Sequence, residues 1–144
     1  MLEFTDRRGL EREIERLRSR HKARIIPGHT AITRSIEDEL RNNFAGQLRT
    51  FETPLAEFGS DFQKSIWQAL RGVPFGTTST YADLSIQVGK PGANRATGRA
   101  NGDNQLAIIV PCHRILDADG ALVGYGGGIE RKQWLIEHEK RAAR

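Results

Sequence analysis

The chain has 144 residues, of which 38% are hydrophobic and 28% charged, with one cysteine and a formal net charge of +4. That length holds one ordinary domain or two very small ones, and no apolar stretch is long enough to span a bilayer. A lone cysteine excludes an internal disulfide and a thiolate zinc site, and with no signal-peptide pattern at the N-terminus a reducing, cytoplasmic setting is expected.

The positive charge is unevenly placed. Residues 60–114 carry six Lys/Arg against three Asp/Glu, whereas residues 115–144 carry five of each. Such an excess suits a polyanionic partner, but a solvated surface explains it equally well.

Taken in chain order, Leu2-Glu3-Phe4 reads as a short strand end. Thr5 or Asp6 can cap a helix running to about His21, with Leu10, Ile14 and Leu17 on one stripe. Arg24-Ile25-Ile26 is a second apolar run, stopped by Pro27-Gly28. A helix over Thr30–Asn43 turns Ile32, Ile36, Leu40 and Phe44 inward and stops at Gly46. Residues 47–59 read as a linker.

The pattern then changes. Ser60-Asp61-Phe62-Gln63 is a capping box opening a helix to about Arg71. Thr80 caps a short helix from Tyr81 to Val88, and after Pro91-Gly92 another runs from Ala93 to about Asn101. Two short helices around a Gly/Pro turn form a helix-turn-helix pattern, whose second helix carries Asn94, Arg95 and Arg99 with small residues between. Leu106 to Val110 has strand character. Gly126-Gly127-Gly128 is not a phosphate loop, because no Gly-Lys-Ser/Thr follows. A last helix, about Ile129 to Arg141, is expected to bury Trp134 and Leu135.

The chemistry concentrates at Pro111-Cys112-His113-Arg114. A free cysteine is most often a small buried hydrophobe. Beside an imidazole and a guanidinium, however, a thiol can become a thiolate at neutral pH, and the thiolate is the nucleophile. Alone, Tyr81, Arg95, Asn104 and Glu139 each have a plain structural reading as well: helix-start aromatic, solvated charge, turn former, surface carboxylate.

Together these residues resemble the catalytic domain of the methylated-DNA–protein-cysteine methyltransferases, the O6-alkylguanine-DNA alkyltransferases. The resemblance rests on Pro-Cys-His-Arg after an apolar run, Tyr81, Arg95, Asn104, Tyr125-Gly-Gly-Gly and a Trp-containing helix ending His138-Glu139, and covers residues 60 to about 140. It implies irreversible, single-turnover transfer of an alkyl group from O6-alkylguanine, and from O4-alkylthymine, to Cys112. His113 would take the thiol proton through a bound water, Glu139 would orient that histidine, and Asn104 would hold the turn around the cysteine. Tyr81 would hydrogen-bond the departing guanine and crowd a phosphate. Arg95 would fill the stack after base flipping, on a DNA-contacting helix with Ala93, Asn94 and Arg99. The main chain around Val110, Pro111, Cys112 and Tyr125-Gly126 would line the guanine pocket.

The implied fold is α/β, with a reduced ribonuclease-like region at residues 1–54 and a mostly helical, winged-helix-like catalytic domain at 55–144. Strands that family members carry earlier are expected to be missing. The implied partner is double-stranded DNA carrying alkylated guanine, bound by a monomer with no obligate protein partner, no membrane, no metal and no organic cofactor. Gly126 leaves the tolerance for larger alkyl groups open, and Asn101 leaves the base-step preference open. The rivals are a non-enzymatic sensor of alkylated DNA, whose relatives lack the cysteine, and part of an alkylation-responsive transcription regulator.

Overall fold

Side-chain capping decides where three of the six helices begin. In this computed structural model of residues 1–144, helix α2 (Ala31–Phe44) starts at Thr30, α3 (Asp61–Arg71) at Ser60 and α4 (Tyr81–Gln87) at Thr80. In each case the cap side chain accepts the N–H three residues on, and that residue's side chain accepts the cap's own N–H. Two donors that a helix start would strand are thus satisfied reciprocally. The remaining helices are α1 (Leu10–His21), α5 (Asn94–Gly102) and α6 (Ile129–Ala142). The fold is mostly helical. Its one sheet pairs β1 (Ser79–Thr80) with β2 (Ile115–Leu116) in parallel, Ser79 opposite Ile115.

The core belongs to the C-terminal part. Ile66, Trp67, Leu70 and Val73, from α3 and its exit, pack with Leu84, Ala100, Val110, Cys112 and Ile115. The Trp67 Nε1–H donates to the Ala100 carbonyl at 2.8 Å. Ser85 and Thr97, both fully buried, join α4 to α5 by a hydroxyl pair at 2.8 Å. Burying two hydroxyls is tolerable because Ser85 donates to the Tyr81 carbonyl at 2.8 Å and accepts from Thr97. The helix-turn-helix pair is therefore fixed to α3 and to itself before it meets any partner.

Several sequence expectations fail, each for a local reason. Leu106–Val110 is a run of turns rather than a strand, and Ile108 sits at φ 71°. A β-branched residue there is strained, and burial of its side chain helps hold it. The first helix begins at Leu10, after Gly9 in the left-handed region, because Asp6 is engaged elsewhere by Arg131 at 2.8 Å. The apolar run Arg24–Ile26 lies outside any helix or strand and is not buried, with Ile26 69% exposed. On α2, Ile32 and Phe44 are also exposed. Trp134 is 48% exposed and stacks on His138, while α6 buries Lys132, Leu135, Ile136 and Glu139 instead. Residues 1–54 contain two helices and a single bridge, Leu2 to Leu106.

Candidate active site

One asparagine holds three residues at and before the cysteine turn, Leu106, Val110 and Cys112. The Asn104 Oδ1 accepts the Leu106 N–H at 3.0 Å, while its Nδ2 donates to the Val110 carbonyl at 2.9 Å and lies 3.1 Å from Cys112 Sγ. The side chain thus does the work of a backbone ladder for the 106–110 turns, which is how asparagine diverts a chain from sheet. Cys112–Arg114 then forms a single 3-10 turn. Three residues per turn send consecutive side chains in different directions. Cys112 faces a cavity, and His113 and Arg114 face α6.

Glu139, on α6, collects the second half of the site. Its Oε1 meets His113 Nε2 at 2.8 Å and accepts from Arg114 Nη2 at 2.9 Å. Its Oε2 accepts from Arg114 Nε at 2.8 Å and from the Gly76 N–H at 3.1 Å. Arg114 also donates to the Val73 carbonyl at 2.6 Å. Despite burial, these donors hold the Glu139 carboxyl at a pKa of about 2. An ionised carboxylate can only accept, so the His113 proton sits on Nε2. That fixes the tautomer and leaves Nδ1 as a lone-pair base; Nδ1 is buried and has no protein partner. Burial is also the main cause of a lowered His113 pKa, outweighing the Glu139 contact, so the ring is neutral and able to take a proton.

The thiol differs from the sequence expectation. Burial pushes Cys112 up from its ordinary value, and the Asn104 hydrogen bond only partly opposes this. The neighbouring guanidinium is spent on Glu139, and the neighbouring imidazole is neutral. Cys112 therefore rests as a thiol and has to be deprotonated on demand.

The cavity in front of Cys112 holds about 320 Å³ and is lined by Tyr81, Gly98, Asn101, Asn104, Tyr125 and Gly126 among others. Tyr125 and Gly126 are in its wall; Val110 and Pro111 are not, both being buried, Val110 in the core. Two polar atoms of the lining are buried without partners, Asn101 Oδ1 and Tyr125 Oη. Orphaned buried polar atoms are rare in folded proteins, and in a cavity wall they mark a place for a polar ligand. Asn101 is thus a cavity residue rather than part of an outward-facing surface. Burial, first of all, raises the Tyr81 phenol, keeping its proton available as a donor.

One rim of the cavity is α5. Gly98 comes within 3.8 Å of the Tyr81 ring by the position its Cβ would take. Thr97, Ala100 and Asn101 face inward, and Asn94, Arg95 and Arg99 are exposed, with Ala93 half-buried at the helix start. A larger apolar cavity of about 640 Å³ lies among α1, α2, Leu55 and Trp67, and Cys112 is not in its lining.

The buried cluster predicts acid sensitivity. Unfolded, His113 would titrate near 6.5, but in the fold its pKa is lowered, so its contribution is complete above pH 6.5 and declines as pH falls below it. Glu139 acts in the same direction: its contribution is complete above about 4.5 and is lost as pH falls toward 2. Urea midpoints measured from pH 7.5 to 3 should fall in two stages. A profile flat across that range would contradict this arrangement.

Residues 61–141 match the family model described as "6-O-methylguanine DNA methyltransferase, DNA binding domain". A methylated-DNA–protein-cysteine methyltransferase of Mycobacterium bovis is 52% identical over 106 residues, covering 74% of this chain and 64% of that relative. The chain therefore spans a little under two thirds of that relative's length. Among solved structures, Mycobacterium tuberculosis OGT in complex with DNA superposes with a TM-score of 0.74 at 50% identity, covering 75% of this chain and 67% of that one. The O6-methylguanine-DNA methyltransferase of Pyrococcus kodakaraensis also gives 0.74, at 28% identity, covering 90% and 76%.

Proposed function

This chain belongs to the 6-O-methylguanine DNA methyltransferase family, and from that premise we propose that it repairs DNA by moving an alkyl group from O6-alkylguanine, and O4-alkylthymine, onto its own Cys112. The observation that carries the reading is the placement of Cys112. It opens into a cavity between a neutral, oriented histidine system and the exposed face of a helix-turn-helix.

The chemistry is one displacement. The Cys112 proton passes to His113 Nδ1, relayed by water, and the imidazolium formed is stabilised by the Glu139 carboxylate. The thiolate attacks the alkyl carbon, an S–C bond forms, and the O6–C bond breaks with its electron pair going to guanine. Tyr81 donates to the purine as that charge develops. Nothing regenerates the thiol from a thioether, so each molecule acts once. No metal or organic cofactor enters these steps.

A base inside a duplex hides its O6 substituent, so the nucleotide has to be extruded. Arg95 is exposed on α5 beside the cavity rim and is the residue we assign to filling the stack, with Ala93, Asn94 and Arg99 against the backbone. Binding then rests on phosphates and minor-groove shape, with little sequence preference. Arg95→Ala should slow transfer from duplex DNA about 10- to 100-fold, the equivalent of the few kcal/mol that unstacking costs. Transfer from the free nucleobase should be unaffected, and equal losses on both substrates would refute the assignment.

Residues 1–54 are read as a reduced ribonuclease-like region and 55–144 as a winged-helix-like catalytic domain, acting as a monomer in the cytoplasm. The experiment is intact-mass measurement after mixing the protein with duplex DNA carrying a single O6-methylguanine. Uptake of one methyl per molecule, ending at one equivalent, supports transfer. Tight binding without uptake would make the chain a sensor of damage instead.

A further inference from the structure

The segment before α1 runs along the cavity that holds Cys112. Leu2 bridges Leu106, with its N–H donating to the Gln105 carbonyl and its own carbonyl accepting the Ala107 N–H, both at 2.9 Å. The Phe4 ring meets Tyr125 edge-on at 6.0 Å and lies beneath the Arg131 guanidinium at 4.8 Å. Asp6 is clasped by Arg131 through both carboxylate oxygens at 2.8 Å. Glu3 and Arg7, between these anchors, line the cavity itself.

Arg7 is held from three sides. It pairs with Glu3, with Glu13 at 2.9 Å, and donates to the Gly102 carbonyl at the end of α5 at 3.3 Å. Its side chain is only 11% exposed and that of Glu3 only 3%. A long cation usually moves freely; this one is fixed by charge-assisted bonds. Its guanidinium lies over Gly126. A Cβ added there would be 2.8 Å from Arg7 Cζ and Nε, closer than real side chains approach. The space that a side chain at position 126 would fill is already filled, from the other end of the chain.

We propose that Arg7 is the specificity-determining residue of this site, standing in for the side chain that Gly126 lacks and limiting the size of alkyl group that can reach Cys112. The inference rests on the transfer reading above. Judged from Gly126 alone, the pocket is open; with Arg7 in place it is closed on that side. A methyl group fits beside the thiol, whereas a benzyl or pyridyl-oxobutyl group competes with a guanidinium that can leave only by breaking its bonds to Glu3, Glu13 and Gly102. Arg7 makes no bond to the thiol, so it selects among substrates without doing chemistry.

The test is the ratio of single-turnover rates on duplexes carrying O6-benzylguanine or O6-methylguanine, in wild type, Arg7→Ala and Arg7→Met. Arg7→Ala should raise the benzyl-to-methyl ratio by about tenfold or more, the discrimination a missing group of that size commonly gives. The methyl rate should stay within a few-fold. Arg7→Met, similar in length but without the bonds to Glu3, Glu13 and Gly102, should raise the ratio by less than Arg7→Ala does. Because Arg7→Ala strands Glu3, whose side chain is only 3% exposed, the double variant Glu3→Gln/Arg7→Ala provides the same opening without that buried unpaired charge, leaving only the more exposed Glu13 without its partner. An unchanged ratio in the alanine variants overturns the proposal alone. Near-equal rates on the two lesions in the wild type overturn it as well. Absence of any transfer by the wild type overturns the parent reading and this one with it.

Discussion

Cys112→Ser is expected to take up no methyl from O6-methylguanine DNA while still binding it. The substitution is nearly isosteric, and a serine hydroxyl can accept the Asn104 Nδ2–H that now reaches Sγ at 3.1 Å. Fold and cavity should therefore survive. The reaction should not, because the His113 base is strong enough to ionise a thiol transiently but not an unactivated alcohol in an apolar wall. Removing a nucleophile from a unit that acts in concert costs on the order of 10⁴-fold or more in rate. Intact mass after long incubation, beside a gel-shift titration, reads both halves of the expectation. Methyl uptake by the serine variant would place the acceptor elsewhere.

The second large effect is at Glu139. Glutamine keeps the size but loses the charge, and one amide oxygen cannot serve His113, both Arg114 nitrogens and the Gly76 N–H together. Arg114, 6% exposed, would be left as a buried cation without its carboxylate, held by the Val73 carbonyl and the face of the Phe75 ring. Breaking a buried pair from one side costs about 3–5 kcal/mol. The His113 tautomer would also no longer be dictated, which should slow transfer about 10²- to 10⁴-fold, the usual worth of a positioned base. The two effects are separable. Glu139→Gln/Arg114→Met removes the stranded cation, so it should recover much of the thermal stability while the transfer rate stays low. Full transfer by either variant, once folded, would show that the Glu139–His113 contact is structural only.

What the sequence revealed, and what it hid, follows from the range of the interactions. Helices α3 and α4 begin at their capping boxes because a cap is settled within four residues. The turn at 106–110 was hidden because five apolar residues in a row suit a buried strand and a buried turn alike. The deciding contacts come from the Asn104 side chain. Helix α6 was misread because its buried face, Lys132, Leu135, Ile136 and Glu139, includes two charged residues, and the apolar pattern favoured Trp134 over them. The resemblance supplied Glu139 as the partner of His113, whereas adjacency in the chain suggested an activated thiolate and gave no sign that Arg114 also turns to Glu139. Arg7 gave no signal at all, since its cavity contacts lie about a hundred residues away.

The distance in chain between Glu139 and its partners has a consequence for how the protein comes into being. His113 and Arg114 precede it by 26 and 25 residues. A ribosome makes about 5–20 residues each second, from the N-terminus onward. For a second or more of every round of translation, the thiol-bearing segment exists before the carboxylate that organises it. During that interval nothing dictates the imidazole tautomer, and the guanidinium has no carboxylate to fold against. A nascent chain would be a poor alkyl acceptor until α6 is made and docks. The cysteine proposed above as a single-use acceptor becomes competent only as α6 is added.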